Sequence, residues 1–230
     1  HKELINLEKS WLNCFQKKCD EKDEFFNLMQ TIVKFDLNFD DFQSLIKANY
    51  QDLEITRYDS FDDLLEYCKL SANPVGSLVL KIFGDFNETN LKLSNYICTG
   101  LQLINFIQDI RRDSKLGRIY IPTDDLKKFK IDENDILENK SSFAIRELVK
   151  MQCERSYKII NSGKPLVQSL NGPKKIPISL FIQSGNLVLS KIKKINYETV
   201  LMRPTVNKIE KSMLVAKTLF KYLFYRNFIW

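Results

Sequence analysis

Apolar residues recur along most of the chain at intervals of three or four, the spacing that gathers them on one face of a helix. Leu4, Leu7, Trp11 and Phe15 form the first such stripe. Further helices are predicted over residues 24–33 and 40–49, the second opening on Asp40 and Asp41, acids that favour a helix N-terminus. Ser60 and Asp63 have the spacing of a capping box, and a helix is predicted from there through Tyr67, Cys68, Ala72 and Gly76 towards Phe83. Pro74 lies inside that run and is expected to kink it, because it lacks a backbone donor and crowds the preceding turn. A long helix is predicted over 88–114, broken at Gly117, with Pro122 in the loop beyond. Others cover 142–161, closed by Gly163 and Pro165, then 178–194, and a last one runs from Val206 into the tail. No segment alternates as a strand does, and no repeat with a period of roughly 20–50 residues is present. The pattern is that of one all-α domain.

Composition narrows the chemistry. The chain has 230 residues, 44% hydrophobic and 28% charged, the balance of an ordinary soluble domain. It has no uncharged apolar run of roughly 18 residues, so no transmembrane helix is expected. The opening His1-Lys2-Glu3 is not a signal peptide, and without a Met the natural start is expected upstream. The single histidine is His1, which excludes Ser-His-Asp triads, Cys-His pairs and His-ligated zinc. None of the seven glycines falls in a dinucleotide-binding or P-loop pattern, and Ser162-Gly163-Lys164-Pro165 lacks the context for one. The five cysteines have no metal or disulfide spacing and read as buried free thiols in a reducing, cytoplasmic setting. The net charge of +6 comes from lysines spread among acids, so nucleic acid is not an expected partner; phosphorylated small molecules or anionic lipids fit better.

The segment from Asn105 to Asp113 carries the most chemistry. Asn105, Asp109 and Asp113 are four residues apart, and each such step drifts only about 40° and rises about 6 Å on a helix. The three oxygen-bearing side chains therefore share one face, an arrangement that suits Mg²⁺, which keeps several waters and takes further ligands from phosphates. Arg118, just past the helix end, has the planar fork that grips a diphosphate. The plainer reading is of solvated carboxylates paired with Arg111, Arg112 or Lys115. Against it, acids near a helix C-terminus oppose the helix dipole, and Leu101, Leu103, Ile104, Phe106 and Ile107 make much of this helix apolar. Tyr67, on a helix with the small residues Ala72 and Gly76, could stabilise a cation through its ring face or simply belong to the core. Asp36 with Asp40, and Asp59 with Asp62 and Asp63, also bring acids together, but at expected helix starts.

Two stretches resemble a known family. Tyr67-Cys68 through Ala72 to Val75-Gly76 resembles a signature of squalene/phytoene synthases, and Leu101 to Pro122 resembles their second aspartate-rich motif. Ser71-Ala72-Asn73-Pro74-Val75-Gly76, Asn105-Phe106-Ile107-Gln108-Asp109 and Arg203-Pro204 are most similar to the hydroxysqualene synthase branch. The resemblance implies an all-α, single-domain helical bundle of the isoprenoid synthase type with a central substrate cavity. It also implies that residues 1–230 lack the family's N-terminal helices and first aspartate-rich motif. Asp109, Asp113 and Asn105 would hold Mg²⁺ on the substrate diphosphate, with Asp109, Asp113 and Tyr67 in catalytic roles. Arg118, Tyr120, Gln108, Tyr67, Ala72 and Gly76 would contact the substrate.

The implied substrate is presqualene diphosphate, ionised and captured by water to give hydroxysqualene. Farnesyl diphosphate is the implied substrate of the alternative, a head-to-head condensation to phytoene, dehydrosqualene or presqualene diphosphate. A third reading is a non-catalytic assembly protein, which would be expected to lose the carboxylates that this chain keeps. The basic, aromatic tail over 217–230 suggests peripheral contact with the inner face of a membrane, or else a final helix packed on the core.

Overall fold

The computed structural model describes residues 2–16, 18, 20–22 and 24–224; over them the chain is helical, with no strand. Helices α1 (Lys2–Phe15), α2 (Phe26–Phe35) and α3 (Phe39–Glu54) meet around Trp11, whose ring packs against Phe39 and Phe42. Asp40 and Asp41 lie in the first turn of α3, as their charge favours. Asp36 caps α2 in the left-handed conformation, and Ser60 and Asp63 form the expected capping box, their backbone and side-chain groups bonding reciprocally. These acids serve helix ends, and no group of three or more Asp, Glu, His or Cys able to hold a metal exists among the described residues.

The expected kinked helix is in fact two, α4 (Phe61–Ser71) and α5 (Asn73–Phe83), separated at Ala72. Pro74 sits in the first turn of α5, where its missing N–H has no helical partner to lose, so it starts a helix instead of bending one. Helix α6 (Glu88–Ser114) is capped by Asn87, whose side chain accepts from the Asn90 N–H. It is followed by the short α7 (Thr123–Lys128) and α8 (Glu133–Leu137), then α9 (Phe143–Ser162). The short α10 (Pro165–Ser169), a 3₁₀ turn at Gly172–Lys174, α11 (Lys175–Lys194) and α12 (Lys208–Phe224) complete the chain. The sequence pattern misses α7, α8 and α10, because one or two turns are too short to display a period.

Helix α6 is the axis of the bundle, packed by α5, α9 and α11, with α4, α8 and α10 at its ends. Its buried Ile97, Ile104, Ile107 and Ile110 join Leu80, Leu148, Val149, Ile160, Leu166 and Ile192 in the main core. Two glycines set how closely the neighbours approach. A Cβ on Gly100 would stand 2.7 Å from the Ile160 Cα and 2.8 Å from its nitrogen, so α6 and α9 touch at backbone. A Cβ on Gly76 would stand 2.8 Å from Cys98 Sγ and would also strike the Ser94 hydroxyl. The space that a side chain at Gly76 would need is therefore filled by α6 side chains, and Ala72 is buried at the junction of α4 and α5.

After α11 the chain reverses through Asn196 and Tyr197, both left-handed with φ of 52° and 61°. Residues 201–207 then form a strap that runs back to α6. Helix α12 packs on α11, where Gln183 donates to the Thr218 hydroxyl (2.8 Å) and Lys191 pairs with Glu210 (2.7 Å). Its outer side exposes Ile209, Met213, Phe220, Leu223 and Phe224. Residues 225–230 of the tail lie outside the described residues, and no described helix is long and apolar enough to cross a membrane. Cys68, Cys98 and Cys153 are free, but Cys14 is disulfide-bonded, contrary to the expectation of free thiols throughout. Pairing depends on approach in space, which scattered sequence spacing does not report.

Gly100→Ala is expected to cost about 1–3 kcal/mol, as overpacking against a rigid backbone does. A melting temperature lower by several degrees checks it; an unchanged one would mean that α6 and α9 can part freely.

Candidate active site

The turn that ends α6 positions the site. Gly117 takes φ +72°, a left-handed conformation that favours glycine, and the Arg118 N–H returns to the Asp113 carbonyl at 3.0 Å. The loop that follows lies alongside the α3–α4 connection. Ile119 N–H donates to the Thr56 carbonyl (3.0 Å), Thr123 to Tyr58 (2.9 Å) and Asp124 to Asp59 (3.0 Å), while Arg57 donates to the Gly117 carbonyl (2.6 Å). These backbone contacts bring Arg118 and Tyr120 to the end of α3 and to Tyr67 on α4.

There the aromatic rings pack together. Phe106 and Tyr120 stack with centroids 4.0 Å apart, and Tyr67 lies about 6 Å from both rings (6.0 and 5.9 Å). Tyr58 closes the group, 5.5 Å from Tyr67. Tyr67 is buried, with the small pocket bounded by Phe106, Asp113, Arg118 and Tyr120 holding only ≈ 10 Å³. The sequence reading places Tyr67 in a cavity or in the core; in this structure its ring is core. Burial is the leading cause that pushes the Tyr120 phenol up to about 12, with the Asp52 carboxylate next. The Tyr67 phenol is pushed higher still, by burial and then by its bond to Asp52.

Asn105, Asp109 and Asp113 do occupy one face of α6, at different depths. Asn105 is exposed, Asp109 is buried and Asp113 is half-buried. Arg203 of the strap lays its guanidinium on the Asp109 carboxylate through two nitrogens, the longer contact being 3.4 Å. Arg112 approaches the same group at 3.6 Å, so part of the plainer pairing anticipated from sequence is present. Gln108 donates to the Pro204 carbonyl at 2.5 Å. Its amide thus anchors the strap here, where the sequence suggests a substrate contact. Burial, then the neighbouring Asp109 charge, push Asp113 up to about 6 from 3.8, partly offset by Arg112 and Arg118.

Between α6, α11, α12 and the strap runs a cleft of ≈ 530 Å³, lined by Leu101, Ile104, Asn105, Gln108, Arg203 and Lys211 among others. Two cations and two carboxamides over an aliphatic floor suit a ligand with an anionic head and a hydrocarbon body. Two carboxylates and a carboxamide on successive turns are hard oxygen donors, the kind of donor that Mg²⁺ takes. Sequence reasoning missed Lys211 and Asp52 and used Arg203 only as a branch marker. No local pattern flags them, since strap and helix end meet α6 only after folding.

These residues stand in a chain whose relatives are known. A family model described as squalene/phytoene synthase matches residues 3–210. The chain belongs to the squalene/phytoene synthase family. The crystal structure of the squalene synthase HpnC from Alicyclobacillus acidocaldarius superposes with a TM-score of 0.79 at 33% identity, covering 84% of this chain and 73% of that one. A dehydrosqualene synthase shares the fold, with a TM-score of 0.86 at 17% identity, covering 96% of this chain and 78% of the other. Among curated sequences, the phytoene synthase of Arthrospira platensis is 29% identical over 81% of this chain and 64% of its own length. The chloroplastic phytoene synthase of an Oncidium hybrid cultivar is 26% identical over 82% and 47%. This squalene/phytoene synthase-family chain thus spans less than two thirds of those curated relatives.

The raised Asp113 sets a pH dependence. A carboxyl that holds its proton more tightly folded than unfolded stabilises the fold fully below about pH 4, and that contribution is lost as pH rises through about 6. In metal-free buffer, Asp113→Asn should therefore raise the melting temperature more at pH 8 than at pH 4. Equal shifts at the two pH values would dissociate Asp113 from this effect.

Proposed function

We propose that the complete protein converts presqualene diphosphate to hydroxysqualene with release of diphosphate. The observation that carries this reading is the branch-type pair of motifs, Ser71–Gly76 and Asn105–Asp109, in a chain 33% identical to a squalene synthase over most of its length. The C–O bond to diphosphate breaks with the electron pair leaving on oxygen. The cyclopropylcarbinyl cation rearranges, and water adds its oxygen and loses a proton. No reductant enters, in keeping with a sequence that has no dinucleotide motif.

Arg118 at the end of α6, with Arg203 and Lys211 in the cleft along its middle, would hold the diphosphate, where charge develops as the bond breaks. Asn105, Asp109 and Asp113 would hold Mg²⁺. When bound, that ion supplies positive charge to the departing diphosphate. Arg203 would then exchange its Asp109 carboxylate for a diphosphate oxygen, a swap between two anions that its fork geometry permits. Tyr67 and Tyr120 would contribute the negative potential of their packed rings to the cation beside them.

The complete natural reading frame, given presqualene diphosphate and Mg²⁺, should yield hydroxysqualene by mass spectrometry. Asp109→Asn should lower that yield by roughly 100-fold or more, the scale seen when a group that stabilises developing charge is removed. Full turnover in the variant would sink the role of Asp109. A second reading, condensation of two allylic diphosphates, is favoured by the phytoene synthases among the curated relatives. A condensed product made directly from two allylic diphosphates would establish it.

The exposed apolar stripe of α12, with Lys208, Lys217 and Lys221 on the same helix, would let the protein rest on an anionic lipid surface where a hydrocarbon product dissolves. Co-sedimentation with anionic liposomes should fall when residues 217–230 are removed; equal binding would exclude the tail as an anchor.

A further inference from the structure

Asp52 sits on the last turn of α3, and three of the candidate residues converge on it. Its Oδ1 accepts from the Tyr67 hydroxyl at 2.7 Å and from the Tyr120 hydroxyl at 3.2 Å. Its own carbonyl accepts from Arg118 Nη2 at 2.8 Å. These bonds span 15, 68 and 66 positions of sequence, so they join α3, α4 and the loop after α6 at one point. Among the described residues, no lysine or arginine stands within ion-pair distance of the carboxylate; Arg118 spends its hydrogen bond on the carbonyl instead. The half-buried carboxylate is held by two phenols and no cation.

That arrangement has electrostatic consequences. A phenol donating to a carboxylate takes on part of its charge, and the ring face becomes more negative. Tyr120 is stacked on Phe106 and lies beside Tyr67, so the polarised rings are contiguous. Both hydroxyls are committed to Asp52, Tyr67 is buried and Tyr120 is stacked with Phe106 and Tyr58, so the cluster offers the site its negative potential through space, not O–H groups. The group also lies next to the diphosphate-binding end, since Arg118 precedes Tyr120 by two residues and lines the same small pocket with Asp113. A carbon that has just lost its diphosphate begins its positive life near Arg118, within the field of a carboxylate that has no salt bridge.

We propose that Asp52 is a positioning residue that fixes Tyr67 and Tyr120 and supplies, through them, the negative charge that favours a carbocation over neutral species at this site. The inference rests on the reading of the site as one that ionises a prenyl diphosphate. Asp52 needs no contact with substrate; it acts through the two rings and through the carbonyl that holds Arg118.

The test uses the complete natural reading frame and two probes: an ammonium aza-analogue of the prenyl cation and its neutral carbon isostere, each bound in the presence of inorganic diphosphate and Mg²⁺. Asp52→Asn keeps an acceptor for the tyrosines and removes the charge. It should weaken the ammonium analogue at least tenfold, leave the neutral isostere within twofold, and lower kcat more than it raises KM. Tyr120→Phe, which removes one of the two bonds without removing the charge, should show a smaller loss of the same kind. Equal weakening of both probes in Asp52→Asn, or of neither, overturns the proposal, because a merely structural carboxylate would not discriminate by charge. If Asp52→Asn fails to fold, the Tyr120→Phe comparison decides, no preference change there being the overturning result. Wild-type protein that turns over no prenyl diphosphate and binds neither probe would instead overturn the function on which the proposal rests.

Discussion

A long helix enclosed by its neighbours can keep carboxylates only along the strip those neighbours leave open, and α6 is such a helix. Close approach at Gly100 brings α9 onto it at backbone distance, and Gly76 brings α5 against Ser94 and Cys98. With α11 on a third side, the remaining strip carries Asn105, Asp109 and Asp113. Tight packing on the other faces is what aligns the column, and it also raises the electrostatic cost of ionising Asp113.

The two ends of that strip are built differently. At the α6 C-terminus, backbone bonds between two loops carry Arg118 and Tyr120 to α3 and α4, closing an aromatic cluster around Asp52. Along its middle, the strap delivers Arg203 and Pro204, and α12 adds Lys211 to an open cleft. Polar anchorage thus lies at one end and hydrocarbon-lined volume along the other. Asp109 stands at the junction, already neutralised by a guanidinium from the far end of the chain.

Much of this was legible in the sequence. The long helices announce themselves through apolar spacing, and the end of α6 follows from Gly117 as terminator, while its Asn87 cap is seen only in the structure. Capping chemistry correctly assigned Ser60, Asp63, Asp40 and Asp41 to helix starts. The column on α6 followed from a four-residue spacing alone. What local pattern could not supply was any contact between distant segments. Asp52 reads as an ordinary acid near the end of a helix, and its role emerges only when residues 67, 118 and 120 fold onto it. Gln108 faces a strap nearly a hundred residues later in the chain. Pro74 shows a subtler limit: a proline in a helical run can bend one helix or begin another, and here the break falls at Ala72, two residues before it.

The reversal at Asn196 and Tyr197 shapes everything after it. Two successive residues in the left-handed region go against the intrinsic preference of non-glycine backbone, and for an aromatic residue the conformation is a real outlier. It is tolerated here with the Tyr197 side chain packed against the main core. The heading of the strap is consequently imposed from outside the segment. A peptide comprising only the C-terminal part of α11 and the strap would have no reason to point Arg203 towards Asp109. The cation that meets the buried carboxylate is therefore a reporter of completed tertiary structure, in place only once the rest of the bundle has formed.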